Sequence, residues 1–304
     1  MSRVIALSGG IGGAKLALGL SHVLSPEDLL IVANTGDDCE HLGLSISPDI
    51  DTLTYTLAGL DNQVLGWGRR DESWAFMETL EALGGETWFR LGDRDLALHV
   101  ERTRRLGAGE TLSVVTQRFA GRLGVQATLL PMSDDPVRTR ILTPGGWLDF
   151  QHWFVREQCR PAVLDIAFHG ADRARPNAAL LEALDARPRA IIICPSNPLI
   201  SIEPILAVPG IREAISRCGA PVLAVSPILG REAVKGPTAR MLADLGENPS
   251  AAAVARRYGK LLTHYVMEPG DDATGIEVRV HRAQTLMRTL EEKVALARAI
   301  LSYL

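Results

Sequence analysis

Five short runs that are apolar almost throughout, each emptying into a polar loop, restrict this chain's possible folds more than any other feature. They lie at 5–7, 29–33, 125–130, 190–194 and 221–226, and the loops after them are rich in Gly, Asp, Asn and Ser. A half-exposed strand alternates apolar and polar residues, whereas an unbroken apolar run belongs to a strand covered on both faces, as in a parallel sheet. In open parallel sheets ligands bind beyond the carboxyl ends of the strands. Loops 9–15, 34–38, 131–136, 195–198 and 226–238 are therefore expected to converge on one cleft, and five such loops favour an enzyme over a scaffold. The predicted class is α/β: a Rossmann-like, mostly parallel sheet flanked by helices.

The first run ends in Ser-Gly-Gly-Ile-Gly-Gly-Ala-Lys at 8–15. Glycines without side chains let backbone N–H groups approach an anion, and the following helix turns its positive end to the same place. Gly10, Gly12, Gly13 and Lys15 thus form a candidate phosphate loop. A Rossmann G-x-G-x-x-G read from Gly10 fails because Lys15 holds the third glycine position, and a Walker loop fails because Ala14 and Leu16 flank the lysine. A tight strand-to-helix turn without a ligand is the alternative. The second run ends at Asn34, where a nicotinamide-binding chain usually carries its ribose-binding acid, and that weakens an oxidoreductase reading.

Ser47-Pro48-Asp49-Ile50-Asp51 has an N-cap residue followed by proline, which predicts a helix with Asp49 and Asp51 near its start. Two readings fit: acids compensating the helix dipole, or carboxylates holding Mg²⁺ beside substrate phosphates. Residues 61–121 change character, with three tryptophans, many arginines and few strand-like runs, and are expected to form an inserted, mainly helical subdomain over the cleft. Residues 1–60 and 122–304 would then form the core. Asp95 and His99 within the insertion are one helical turn apart, and a surface Asp–His pair explains them without function. Val137, Thr139 and Ile141 alternate with Arg138 and Arg140, then a Thr-Pro-Gly-Gly turn leads into 147–155, predicting a β-hairpin with arginines on its wet face. Residues 156–188 resist organisation.

Thirty-two basic and 36 acidic residues leave a net charge of −4 without long like-charged blocks, which argues against a nucleic-acid or anionic-membrane surface. Four separated cysteines without C-x-x-C argue against a disulfide framework or cysteine zinc site. No run is long enough for a membrane helix, and glycines break the N-terminal apolar stretch too early for a signal peptide. A cytoplasmic protein is expected.

Taken in order, S-G-G-x-G-G-x-K (8–15), N-T-G-D-D (34–38), S-P-D-I-D-T (47–52), L-G-D-R-D-L-A-L-H (91–99), L-P-M-S-D-D-P-V (130–137), P-S-N-P (195–198) and S-P-I-L-G with K-G-P (226–237) resemble the 2-phospho-L-lactate transferases of deazaflavin coenzyme F-420 biosynthesis. The resemblance runs from Ser8 to about Met287. It implies transfer of a phosphorylated three-carbon acid (2-phospho-L-lactate, or its phosphoenolpyruvate or phosphoglycerate equivalent) from a guanosine diphosphate conjugate to the ribityl hydroxyl of the deazaflavin Fo. GMP leaves, Mg²⁺ is required, and a homodimer is expected. Under that resemblance Asp49 and Asp51 bind the metal and Gly10, Gly12, Gly13 and Lys15 hold phosphate. Asn34 belongs to the substrate-binding set, and Ser196 and Asn197 are candidates for the nucleotide. Asp93, Arg94, Asp95 and His99 close the cleft, while Met132, Ser133 and Asp134 border the deazaflavin. Asp37, Asp49 and Asp134 are the candidate bases. A related family of nucleotide-sugar-binding regulatory proteins shares the glycine loop and acidic turn, but the stretches at 91–99 and 130–137 favour the transferases.

Overall fold

The computed structural model describes residues 3–230, 232–233 and 236–304. Val234 and Lys235 of the fifth expected loop lie outside the described residues. Seven strands make the main sheet: β1 (Val4–Ser8), β2 (Leu29–Ala33), β3 (Thr128–Pro131), β4 (Ala190–Ile193), β5 (Val222–Val225), β6 (His264–Met267) and β7 (Arg279–Arg282). Their spatial order is β7-β6-β5-β4-β1-β2-β3, and every pairing is parallel. The chain winds outward from β1 to β3, crosses back past β1, and builds the other half from β4. That is Rossmann winding with one further strand.

The unbroken apolar runs follow from this position. Ala6 sits opposite Ile31 of β2 and Ile192 of β4, and successive side chains feed two cores. Ile5, Leu7, Leu30, Val32, Ile191 and Ile193 enter one layer, while Val4, Ala6, Leu29, Ile31 and Ile192 enter the other. Full burial of each large aliphatic side chain stabilises by about 1.5–3 kcal/mol before entropy is counted. A polar residue on either face of these strands would therefore be selected against.

Helix α1 (Gly10–Ser21) starts directly after β1, inside the glycine stretch. It packs against α2 (Pro48–Leu57) and the C-terminal helix Leu290–Ser302. A Cβ at Gly19 would fall on the carbonyl of Lys293, so glycine permits this close crossing. Thr289 and Glu292 form a capping box at the start of the C-terminal helix.

Between β2 and β3 the chain adds a short hairpin, Cys39–His41 with Leu44–Ile46, and then α3 (Ala75–Ala82), α4 (Asp93–Gly107) and α5 (Leu112–Arg122). Helix α4 rests on that short hairpin, while α5 packs on β3. The second hairpin pairs Arg138–Thr143 with Gly146–Asp149, and Thr139, Ile141 and Thr143 are buried while Arg138 and Arg140 are half-buried. Its returning strand stops at Asp149 instead of continuing to Val155, because the chain coils into a helical turn at His152–Arg156 that buries Trp153 completely. A third strand, Asp165–His169, comes from the stretch whose sequence shows no clear pattern. Helix Ala251–Tyr258 is capped by Ser250, whose side chain accepts from Ala253 N–H. Among the described residues no helix is long and apolar enough to cross a membrane.

Candidate active site

The winding reverses between β1 and β4, so the loops beyond these strands bound a crevice. Gly9 N–H donates to Ser196 Oγ at 3.2 Å. A Cβ on Gly12 would collide with the carbonyl of Pro195, and one on Gly13 with the hydroxyls of Ser8 and Ser196. These glycines let α1 start hard against the β4 loop. Gly10, at φ +62°, donates its N–H to Asp49 Oδ1 at 2.7 Å, placing a carboxylate at the positive end of the helix. The Lys15 ammonium donates to the carbonyl of Met287 at 2.8 Å, on the side of the C-terminal helix.

Asn34, fully buried at the end of β2, organises the acids. Its amide nitrogen donates to Asp49 Oδ2 at 2.9 Å, Asp37 Oδ1 at 3.1 Å and the carbonyl of Ile200 at 3.1 Å. Its oxygen accepts from Gly36 N–H at 2.8 Å. Gln151 adds a bond to the carbonyl of Asp37. Asp37 is pushed well above the ordinary carboxylate range by burial and by the charge of Asp49. Asp49 is pushed up to about 6 by burial, against the lowering bonds from Asn34 and Gly10. Asp38 is pushed up to about 7, again mainly by burial, although Arg138 and Arg102 favour its charged form. Ser47 caps nothing with its side chain; its hydroxyl donates to Asp38 Oδ2 at 2.9 Å.

Asp49 and Asp51 do not share partners. Two residues apart on a helix means a rotation of about 200°, so the side chains leave α2 in different directions. Asp51 faces α4, where both oxygens accept from the Arg102 guanidinium, one of them at 3.1 Å. Arg102 is also 3.2 Å from His99 Nδ1 and donates to the carbonyl of Ser45. His99 Nε2 lies 3.3 Å from Asp95 Oδ2, and Tyr55 O–H donates to Asp95 Oδ1 at 2.5 Å. His99 is 1% exposed, so it is no surface pair with Asp95. Burial opposes the charge on Asp95, but the bond and charge of His99 hold its pKa below the usual value. Arg102 and Tyr55 complete this network and were missed in the sequence. The available signal was spacing, since Asp95, His99 and Arg102 stand at i, i+4 and i+7, and Asp51 and Tyr55 at i and i+4.

Other expected residues have different surroundings. Asp93 caps α3, accepting from Ser73 O–H and the N–H groups of Ala75 and Phe76. Arg94 is exposed, and its N–H donates to Glu72. Asp134 is exposed and accepts from Ser113 N–H in the first turn of α5. Met132 is fully buried in the core, and Ser133 O–H donates to the carbonyl of Arg175. Ser196 meets the glycine loop as described, while Asn197 caps the turn beginning at Pro198.

The donor chemistry distinguishes two acid sets. Asp37 and Asp49 offer hard oxygens bridged by one neutral amide, a set that suits Mg²⁺. Asp51, Asp95 and His99 have ligand-type atoms within 4.8 Å of one another, but Arg102 already neutralises Asp51.

Fold and site together are those of a Rossmann-wound α/β enzyme. The sequence profile described as 2-phospho-L-lactate transferase CofD matches residues 4–293, and the chain belongs to that family of transferases. It is 41% identical to a phosphoenolpyruvate transferase of Streptomyces griseus, across 98% of this chain and 97% of that protein. It is 36% identical to a phosphoenolpyruvate transferase of Mycobacterium tuberculosis, across 98% and 97%. A solved UPF0052 family member from Bacillus halodurans shares the fold, with a TM-score of 0.64 over 99% of this chain and 98% of that chain at 16% identity.

Proposed function

We propose that this transferase moves the phosphoenolpyruvate unit from its guanosine diphosphate conjugate to the terminal ribityl hydroxyl of Fo, releasing GMP, in F-420 biosynthesis. The phosphoenolpyruvate transferase activity for which relatives 36–41% identical over nearly their full length are named favours the enolpyruvate conjugate over the phospholactate or phosphoglycerate one. The observation that carries the reading is the Asp37–Asn34–Asp49 cluster at the switch point. Two buried carboxylates share one amide there, beside the N-terminus of α1.

In this reading Asp37 and Asp49 hold Mg²⁺, which when bound offsets charge on diphosphate oxygens. Asn34 fixes the rotamers of both acids, and Gly9 and Gly12 keep the helix end close to the nucleotide-side loop at Ser196. Asp51 holds α2 to the insertion and is not a metal ligand. The insertion 61–121 closes the cleft, supported by the buried contacts of α4 with α2 and by Trp88, whose ring lies 4.8 Å from that of His152. Phosphoryl transfer of this kind depends on positioning and electrostatics more than on a strong base. Asp134, exposed and bonded at the start of α5, is better suited to capping than to proton abstraction. A homodimer remains the proposed assembly.

The test is to supply Fo with each of the three conjugates and follow GMP release with product mass. The enolpyruvyl product should dominate. Release confined to the phospholactate conjugate would reassign the acid, and no release from any conjugate would overturn the reaction.

A further inference from the structure

Arg102 is the one arginine buried among the described residues, at 1% exposure. Its guanidinium lies among Asp51, His99 and the carbonyl of Ser45. The ligand-type atoms of Asp51, Asp95 and His99 are close enough to share an ion. Two carboxylates and an imidazole form a donor set that takes Mn²⁺, Co²⁺ or Zn²⁺ more readily than Mg²⁺. We infer that Arg102 is a positioning residue whose guanidinium fills what would otherwise be a second metal site, thereby reserving the cleft's divalent cation for Asp37 and Asp49. The inference rests on the role proposed above for that pair.

A guanidinium and a metal ion compete for the same carboxylate lone pairs. Arg102 takes both oxygens of Asp51, and its second contact covers His99 Nδ1. Asp95 is engaged by Tyr55 and His99 on its other side. The two carboxylates are thus engaged by donors fixed to the protein, and one nitrogen of the imidazole faces the guanidinium. Asp37 and Asp49 instead share a neutral amide, so the group that bridges them brings no positive charge to compete with an ion. Arg102 also ties α4 to α2, so the residue excluding the wrong metal also holds the insertion in place.

The test uses the full chain without substrates. Mn²⁺ followed by electron paramagnetic resonance should report one site, lost in Asp37→Asn, with no directly coordinated imidazole nitrogen in its electron spin echo modulation. Arg102→Gln should gain a second site bearing a histidine nitrogen and bind Co²⁺ about tenfold or more tightly. His99→Gln in that background should remove both gains. A histidine nitrogen on Mn²⁺ in the unaltered chain would overturn the inference whether or not any variant folds. So would an Arg102→Gln chain that is folded by circular dichroism and has unchanged stoichiometry. Mn²⁺ binding that survives both Asp37→Asn and Asp49→Asn with no histidine signal would instead sink the metal role of that pair, and with it the premise.

Discussion

Helix α2 carries two buried acids with opposite surroundings. On one side Asp49 meets a helix N-terminus, a neutral amide and a second carboxylate, and on the other Asp51 meets a buried guanidinium and, beyond it, an imidazole. Burial is equal, at 4% and 5% exposure. What differs is the compensating charge, and it separates the cluster able to take a cation from the one that fastens the insertion.

Breaking the fastened side gives the largest expected effect. Asp51→Ala leaves the Arg102 charge buried and unpaired, and should lower unfolding free energy by about 3–5 kcal/mol in a denaturant titration. Breaking the open side should cost activity instead. Asp49→Asn should slow GMP release with Fo by about 10²-fold or more and abolish its Mg²⁺ dependence, while the metal-free protein keeps or gains thermal stability because a like charge is removed. Near-normal turnover in that variant would erase the contrast.

A third measurement sharpens the comparison through pH. Asp49 and Asp38 bind protons more tightly in the folded state, so stability is highest below about pH 4 with respect to these groups. It falls as pH rises through about 6 for Asp49 and about 7 for Asp38. Melting in chelator should show this decline, and Mg²⁺ should flatten it; a flat profile in chelator would contradict the raised carboxyls. The smallest effect is expected outside both clusters. Asp134→Ala should cost about 1 kcal/mol through the lost contact at α5 and leave GMP release unchanged.

The sheet was legible because burial on two faces writes itself as consecutive apolar residues, and β1, β2 and β4 need no other signal. Residues 156–188 were not legible, because Asp165–His169 pairs at a hairpin edge and its pattern is only partly buried. Asn34, Asp37 and Asp49 could be marked as residues of interest, since they end a strand or start a helix at the expected cleft. Their grouping could not, for a hydrogen bond across 15 residues depends on how α2 returns over the sheet. Lys15 is expected at a phosphate because it follows the glycines at the start of α1. Its bond to Met287 joins parts of the chain 272 residues apart, which no local pattern encodes.

That same tether, with the contact of Gly19 on Lys293, has a consequence for synthesis. At ribosomal rates of about 5–20 residues per second, roughly a quarter of a minute to a minute separates the appearance of Lys15 from that of Met287. Throughout that interval α1 can pack against α2 and the first strands, but the side that meets the C-terminal helix has no native mate. That side is covered only once Met287 and Lys293 have been made.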